Sequence, residues 1–195
     1  MKHQISFAQY RSIDLGILSV VLVFSQVLIH FASSIWFADQ LYVVSPVAAI
    51  TTLVMMRWGP WAAIQMVLGG VVFTALAGGT AQHYLIYGAG NLLAMLALVM
   101  FRIWNKERIR KSVYLTLAFA FCVQLLMQLG RAGVAALLGH GPDACLGFIT
   151  TDVLSELFTL FVAWIVRRIE GLFEDQKHYL LRIQSEQTIE GREQF

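Results

Sequence analysis

The chain has 195 residues, of which 58% are hydrophobic and 13% are charged, and its formal net charge at pH 7 is +2. Soluble domains carry about 25% charged residues, so this composition excludes an ordinary soluble protein and indicates a helical membrane protein. One bundle, with no soluble domain large enough to fold alone, is the expected organisation.

Six apolar segments alternate along the chain with polar connections, and each is predicted to form a helix that crosses the membrane. They cover approximately residues 13–37, 41–56, 60–78, 83–101, 113–138 and 147–166. Helices of about 20 apolar residues match the ~30 Å hydrocarbon core of a bilayer, whereas the alternating pattern of a transmembrane barrel is absent. The second segment is the shortest, so we expect it to be tilted, bent or sheltered by its neighbours.

The positions of the basic residues predict which side of the membrane each connection faces. Thirteen of the 14 Lys and Arg residues lie before the first segment, after the sixth, or in the connections that follow the second and fourth segments; the exception is Arg131. Positively charged connections stay in the cytoplasm. The sequence therefore predicts six crossings, both termini in the cytoplasm and a location in the cell (plasma) membrane. The six-helix domain is expected over residues 1–168, followed by a charged cytoplasmic tail over 169–195.

Polar side chains within the apolar segments concentrate in the half of the bundle that is predicted to face outward. They lie on the first, fourth, fifth and sixth segments, and polar groups in hydrocarbon usually face a bundle interior or a cavity. Their shared depth predicts a cavity open to the outside and bounded by these four helices. The residues predicted to bind a substrate are His83, Tyr84, Tyr87, Asn91, Gln128, Arg131, Asp152 and Glu156.

Two interpretations of the charged members of this set remain open. Arg131 is predicted either to form a structural ion pair with Asp152 or Glu156, or to bind a ligand together with these acids. The two acids are one helical turn apart, and one Arg cannot neutralise both, which favours a ligand. Tyr84 also suits the aromatic belt at the membrane surface, and His83 also suits a hydrogen bond between helices.

No motif for catalysis or for a metal occurs in the sequence. It lacks a Gly-rich phosphate loop, a nucleophile elbow and a His-rich metal motif, and Cys122 and Cys145 do not have the spacing of metal ligands. We therefore expect no catalytic residues, no metal and no other cofactor. An intramembrane enzyme that uses Asp152 and Glu156 is the least favoured of the functions considered.

The segment from Arg167 to Gln187 is predicted to be a short charged helix. It carries an irregular apolar stripe that includes Leu172, Phe173 and Tyr179, and it is expected to continue the sixth segment or to lie along the inner membrane surface. A helix that runs directly from the membrane into the cytoplasm suits a sensor. A membrane sensor or regulatory module that signals through this tail is therefore the alternative function.

A local pattern in the middle of the chain points to a transporter family. The stretch Arg57–Ala63 (RWGPWAA) begins a helix with an aromatic-Gly-Pro sequence, and the helix continues through the small pair Gly69–Gly70. Pro46 in the preceding helix and Gly88–Asn91 early in the fourth helix complete the pattern. Over residues 41–101 the chain resembles the substrate-binding S components of energy-coupling-factor (ECF) vitamin transporters, which have six helices and both termini inside.

This resemblance implies a function and a set of partners. An S component captures a vitamin, metabolite or related small molecule in an outward-facing pocket and hydrolyses nothing itself. Its partners are a transmembrane coupling subunit and two ATPase subunits. The acid, base, amide and aromatic residues of the predicted site indicate a small polar or zwitterionic substrate with a flat ring. The lipid bilayer is the expected surrounding, and no nucleic-acid partner is expected.

Overall fold

The computed structural model describes residues 6–36 and 44–182, and every regular element in these ranges is helical. The α-helices are α1 (Phe7–Trp36), α2 (Val47–Trp58), α3 (Ala63–Leu76), α4 (Ala81–Gly90), α5 (Val99–Trp104), α6 (Lys106–Lys111), α7 (Val113–Leu137), α8 (Pro142–Thr150) and α9 (Val153–Val166). Two 3-10 helices, Gly59–Ala62 and Asn91–Leu98, connect α2 to α3 and α4 to α5. The predicted all-α architecture is confirmed for this part of the chain.

Five stretches of the described chain are long and apolar enough to cross a membrane. They are Phe7–Ile35, Val47–Leu76, Ala81–Trp104, Val113–Leu137 and Pro142–Val166. Their apolar side chains are exposed on the surface of the bundle, where lipid would contact them. The protein is therefore a multi-pass membrane protein. The predicted second and third segments fall within one stretch, and residues 37–43 lie outside the described residues.

The stretch Val47–Leu76 reverses direction at Gly59. The φ angle of Gly59 is 59°, a backbone conformation that glycine adopts readily, and Pro60 follows it at the start of the 3-10 helix. A Cβ built on Gly69 would lie 2.7 Å from the side chain of Val47. Residues 22 positions apart in one straight helix would be separated by about 33 Å. The helices α2 and α3 therefore form an antiparallel hairpin.

Helix α4 returns along α3. A Cβ built on Gly70 would lie 2.3 Å from the carbonyl oxygen of Tyr87, which shows how closely the two backbones approach. One turn earlier on α3, the carbonyl oxygen of Met66 accepts a hydrogen bond of 3.0 Å from Asn91, which directly follows α4 and lies one turn after Tyr87. The paired residue numbers change in opposite directions, so the two helices are antiparallel. The small residues of α3 allow this contact and bring Tyr87 and Asn91 into the bundle.

Helix α7 packs against the whole stretch from α4 to α5. At one end, a Cβ on Gly130 would lie 2.0 Å from the carbonyl oxygen of Gly90. At the other end, the rings of Phe101 and Phe119 have centroids 4.9 Å apart. These contacts make the two stretches antiparallel, and the Gly–Gly contact places Asn91 beside Arg131.

One end of the bundle is closed by a buried ion pair. The Nε and Nη2 atoms of Arg57 donate to the two carboxylate oxygens of Asp14 at 2.9 and 2.7 Å. Its Nη1 donates to the carbonyl oxygens of Gly171 and Leu172, each at 3.0 Å. This two-pronged geometry is the strongest form of an Arg–carboxylate contact. A single guanidinium thus joins α1, the α2–α3 turn and the segment after α9.

Further basic residues pair with the tail at this same end. The Nζ atom of Lys106 donates to Asp175 at 2.5 Å, and Arg110 donates to Glu174. We call Arg57, Lys106 and Arg110, with their carboxylate partners, the basic cluster. Its members come from four separate regions of the sequence, and the charge pattern assigned all of the basic ones to one side of the membrane.

The segment after α9 is not the continuous helix that the sequence predicted. The backbone turns after Val166, Gly171 has a φ angle of 74°, and a helix resumes only over residues 176–182. The side chain of Phe173 is 1% exposed and belongs to the hydrophobic core. A straight continuation of α9 would carry Phe173 away from the bundle, so the turn at Gly171 is what allows its burial. Residues 183–187 of the predicted helix lie outside the described residues.

Candidate functional site

A cavity of about 130 Å³ lies among the helices near the start of α2. Ser45 and Val47 line it at that end of α2, whereas Arg57 of the basic cluster lies at the other end, about 15 Å from Val47 along the helix. The remaining walls come from α3, α4, α7 and the α8–α9 segment. The cavity therefore lies at the opposite end of the bundle from the basic cluster.

The walls differ in one respect from those predicted. Helix α1 contributes no residue to the cavity, and the α2–α3 hairpin occupies the place that the sequence assigned to α1. The polar residue Gln26 of α1 instead donates a buried hydrogen bond of 3.0 Å to the carbonyl oxygen of Gly69. On this helix a polar residue in the apolar segment therefore fastens two helices together and does not reach the cavity.

An ion pair between Arg131 and Asp152 forms part of the cavity wall. The Nη1 atom of Arg131 donates to Oδ2 of Asp152 at 2.8 Å, and Gln124 donates to the same oxygen at 2.9 Å. The Nε atom of Arg131 donates to Oδ1 of Asn91 at 2.8 Å. The side chains of Arg131 and Asp152 are 6% and 15% exposed. Of the two acids considered from the sequence, Arg131 therefore pairs with Asp152.

Irregularities in the helices place two of these polar side chains. Asn91 is the first residue of an eight-residue 3-10 segment inside the stretch Ala81–Trp104, and 3-10 segments of this length are uncommon. Asp152 stands between α8 and α9, where the last predicted segment is broken. Both residues lie where the regular α-helix changes, and the side chains of both contact Arg131.

An aromatic wall adjoins the ion pair. The ring centroid of Tyr87 lies 4.8 Å from that of Phe73 and 5.9 Å from that of Phe148. The guanidinium carbon of Arg131 lies 5.0 Å from the centre of the Tyr87 ring, which is within cation–π distance. All three rings line the cavity. The cavity therefore offers flat apolar surfaces next to a charged pair.

Phe73 and Phe148 were not among the residues predicted from the sequence. A Phe in an apolar segment usually faces lipid or the core, so its residue type gives no signal. The spacing does give a signal for Phe148, because Phe148 precedes Asp152 by four residues and would share its helix face. Phe73 follows Gly69 by four residues in the same way. Ser45 and Thr151 also line the cavity. Thr151 is one of the polar residues of the sixth apolar segment, but neither residue was among those predicted to bind a substrate.

The predicted substrate-binding residues divide into two groups. Tyr87, Asn91, Arg131 and Asp152 come together at the cavity.

The other four lie elsewhere. His83 caps the start of α4, where its Nδ1 accepts a hydrogen bond from the backbone of Thr80 at 3.1 Å. Tyr84 is 36% exposed on the surface of α4, and Gln128 is buried on α7 between the residues that contact Asp152. Glu156 is half-buried one turn after Asp152, and its Oε1 has no hydrogen-bond partner among the described residues.

Comparison with protein-family models, curated proteins and solved structures finds no match for this chain. The function is therefore argued from the geometry of the cavity together with the sequence pattern. The cavity supplies one cation, one anion, one amide and three aromatic rings in a small space among apolar helices. A few convergent polar groups in a mainly apolar pocket are typical of a site that binds a small molecule.

Proposed function

We propose that this protein is the substrate-binding subunit of an ECF-type importer and captures a small polar or zwitterionic metabolite or vitamin from outside the cell. The cavity with its Arg131–Asp152 pair carries the proposal. Ionisable groups within membrane helices are costly and mark substrate pathways and binding sites. The resemblance of residues 41–101 to S components supports the same function. In this role the chain binds the substrate, and a coupling subunit with two ATPases drives transport.

The proposed orientation has six crossings of the plasma membrane with both termini in the cytoplasm. The α2–α3 hairpin supplies two of the crossings, and its α2 limb is the short one. The basic cluster then faces the cytoplasm, as expected for positively charged connections, and the cavity opens toward the outside. Support comes from the grouping of Arg57, Lys106 and Arg110 at the end away from the cavity.

Cysteine labelling tests this orientation. In a variant without the native Cys122 and Cys145, single cysteines at Gln82 and Gly141 are expected to react with an impermeant maleimide on intact cells. Cysteines at Arg108 and Lys177 are expected to react only after the membrane is opened. All four positions are exposed, so a missing reaction reflects the side of the membrane and not burial. Reaction of the Arg108 cysteine on intact cells would refute the proposed orientation.

Retention of a small molecule tests the binding function. Protein purified from its native membranes is expected to carry a bound metabolite that native mass spectrometry detects, and the Asp152→Asn variant is expected to lose it. Asn keeps the size of the side chain but removes the charge that pairs with Arg131. The matched control is Asp143→Asn, the same change at an exposed position of α8, which should retain the metabolite.

The partners that co-purify distinguish the two candidate functions. A coupling subunit and two ATPases are expected with an importer, whereas a kinase or another signalling protein is expected with a sensor. The sensor is favoured by one observation, the attachment of the tail to the α2–α3 turn through Arg57. Recovery of a signalling protein without ATPases would replace the importer by the sensor.

A further inference from the structure

We infer that the cavity binds an uncharged single-ring heterocycle that presents an N–H donor beside a C=O acceptor, as a cyclic amide or cyclic urea does. The inference deepens the proposed function and rests on it, because it names the substrate class of the same site. It depends on three properties of the cavity: the free atoms of the ion pair, its charge balance, and its size and aromatic lining.

Each member of the ion pair uses only part of its hydrogen-bonding capacity. Arg131 donates from Nε to Asn91 and from Nη1 to Asp152, and among the described residues its Nη2 has no acceptor. Asp152 accepts from Arg131 and from Gln124 on Oδ2 alone, so its Oδ1 has no donor within the same part of the chain. Neither Nη2 of Arg131 nor Oδ1 of Asp152 is among the fully buried atoms without a partner, and both residues line the cavity. The ion pair therefore offers the cavity one donor and one acceptor.

The charge balance favours an uncharged ligand. Arg131 and Asp152 already neutralise each other across 2.8 Å, so a ligand with a net charge would enter a cavity whose lining, in the described part of the chain, holds no unpaired counter-charge. A zwitterion is neutral overall, but it would have to shed the hydration of two full charges on entry. A neutral amide edge exchanges hydrogen bonds with water for equivalent bonds to Nη2 and Oδ1. Among ligands with a net charge, zwitterions and neutral amides, the neutral amide therefore loses the least hydration free energy when it enters the cavity.

Size and shape indicate one flat ring. A protein cavity of about 150 Å³ accommodates benzene, and this cavity measures about 130 Å³. Phe73, Tyr87 and Phe148 line it with aromatic rings, and rings of this kind prefer offset-stacked or edge-to-face contacts with other rings. A single ring with a polar edge fits both parts of the lining, with its faces on the aromatic wall and its edge on the ion pair.

Binding of four small probes to the purified full-length protein in lipid nanodiscs tests the inference. The probes are 2-pyridone, N-methyl-2-pyridone, benzene and L-proline, compared by calorimetry. We expect 2-pyridone to bind most tightly, and the N-methyl compound to bind roughly tenfold more weakly because Asp152 then faces no donor. The double variant Arg131→Met/Asp152→Leu should bind the two pyridones equally, whereas Asp143→Asn should keep the preference.

Every other pattern overturns the inference. Tighter binding of L-proline than of 2-pyridone would show that the ligand is a zwitterion. Equal binding of the two pyridones, or of 2-pyridone and benzene, would show that the polar edge plays no part in recognition. Binding of none of the four probes would exclude a single-ring ligand. These outcomes would not refute the proposed importer function, because the recovery of the coupling subunit and ATPases does not depend on which molecule binds. Conversely, recovery of a signalling protein without ATPases would refute the importer function, but the preference for 2-pyridone among the probes would be unchanged.

Discussion

Replacing Gly130 by alanine is expected to force α4 and α7 apart and to lower the stability of the whole bundle. The added Cβ would lie 2.0 Å from the carbonyl oxygen of Gly90, which belongs to a helix backbone and cannot move aside as a flexible side chain would. Overpacking of this kind typically costs about 1–3 kcal/mol, and more where backbones must shift. Because the same contact holds Asn91 beside Arg131, bound metabolite should be lost as well.

The same substitution at Gly133 is the matched control. Gly133 is on the same helix, and a Cβ there would meet nothing within 4 Å. Both changes gain the same helix propensity, up to about 1 kcal/mol, so the difference between them isolates the helix contact. We expect a lower melting temperature for Gly130→Ala and an equal or higher one for Gly133→Ala. Equal melting temperatures for the two variants would show that α4 and α7 are not in close contact.

Replacing Arg131 by methionine is expected to lower stability by an amount similar to that of other broken buried pairs, about 3–5 kcal/mol. The change leaves the carboxylate of Asp152 without its cation inside the membrane. The double change Arg131→Met/Asp152→Leu removes both charges and should recover most of the lost stability. The recovered fold should still fail to retain the native metabolite, because the polar edge of the cavity is gone.

Reversible unfolding in mixed micelles measures these differences, with metabolite retention measured in parallel. If the single and double variants are equally unstable, the ion pair contributes stability of its own and the rescue argument fails. If the double variant still retains the metabolite, Arg131 and Asp152 have only a structural role. The two measurements together separate the structural and ligand-binding interpretations that the sequence left open.

The elements of the fold that the sequence predicted well are those that depend on local composition. Apolar runs mark the membrane stretches, and Gly59-Pro60 marks the α2–α3 reversal, because both follow from the properties of the residues themselves. The return of the tail at Gly171 was not predicted. It depends on the burial of Phe173 against distant helices, which an apolar stripe along a charged segment does not reveal.

Four of the eight residues predicted to bind a substrate line the cavity, namely Tyr87, Asn91, Arg131 and Asp152. Arg131 and Asp152 are conspicuous in apolar segments, so their approximate level in the bundle follows from the chain alone. Asp152 and Glu156 are one turn apart on the same helix face, so it is the position along the helix that places Asp152, and not Glu156, in the wall of the cavity. Phe148 precedes Asp152 by one turn and also lines the cavity, although its residue type alone did not mark it as part of a site.

The bonds of Arg57 impose an order on biosynthesis. Asp14 is already synthesised when Arg57 leaves the ribosome, so their ion pair can form while the chain is still being inserted. The carbonyl groups of Gly171 and Leu172 lie 114 and 115 positions further along the chain, a delay of roughly 6–23 s at about 5–20 residues per second. Until then Nη1 of Arg57 lacks both acceptors, and the end of the bundle that holds the basic cluster can close only after Gly171 and Leu172 are made.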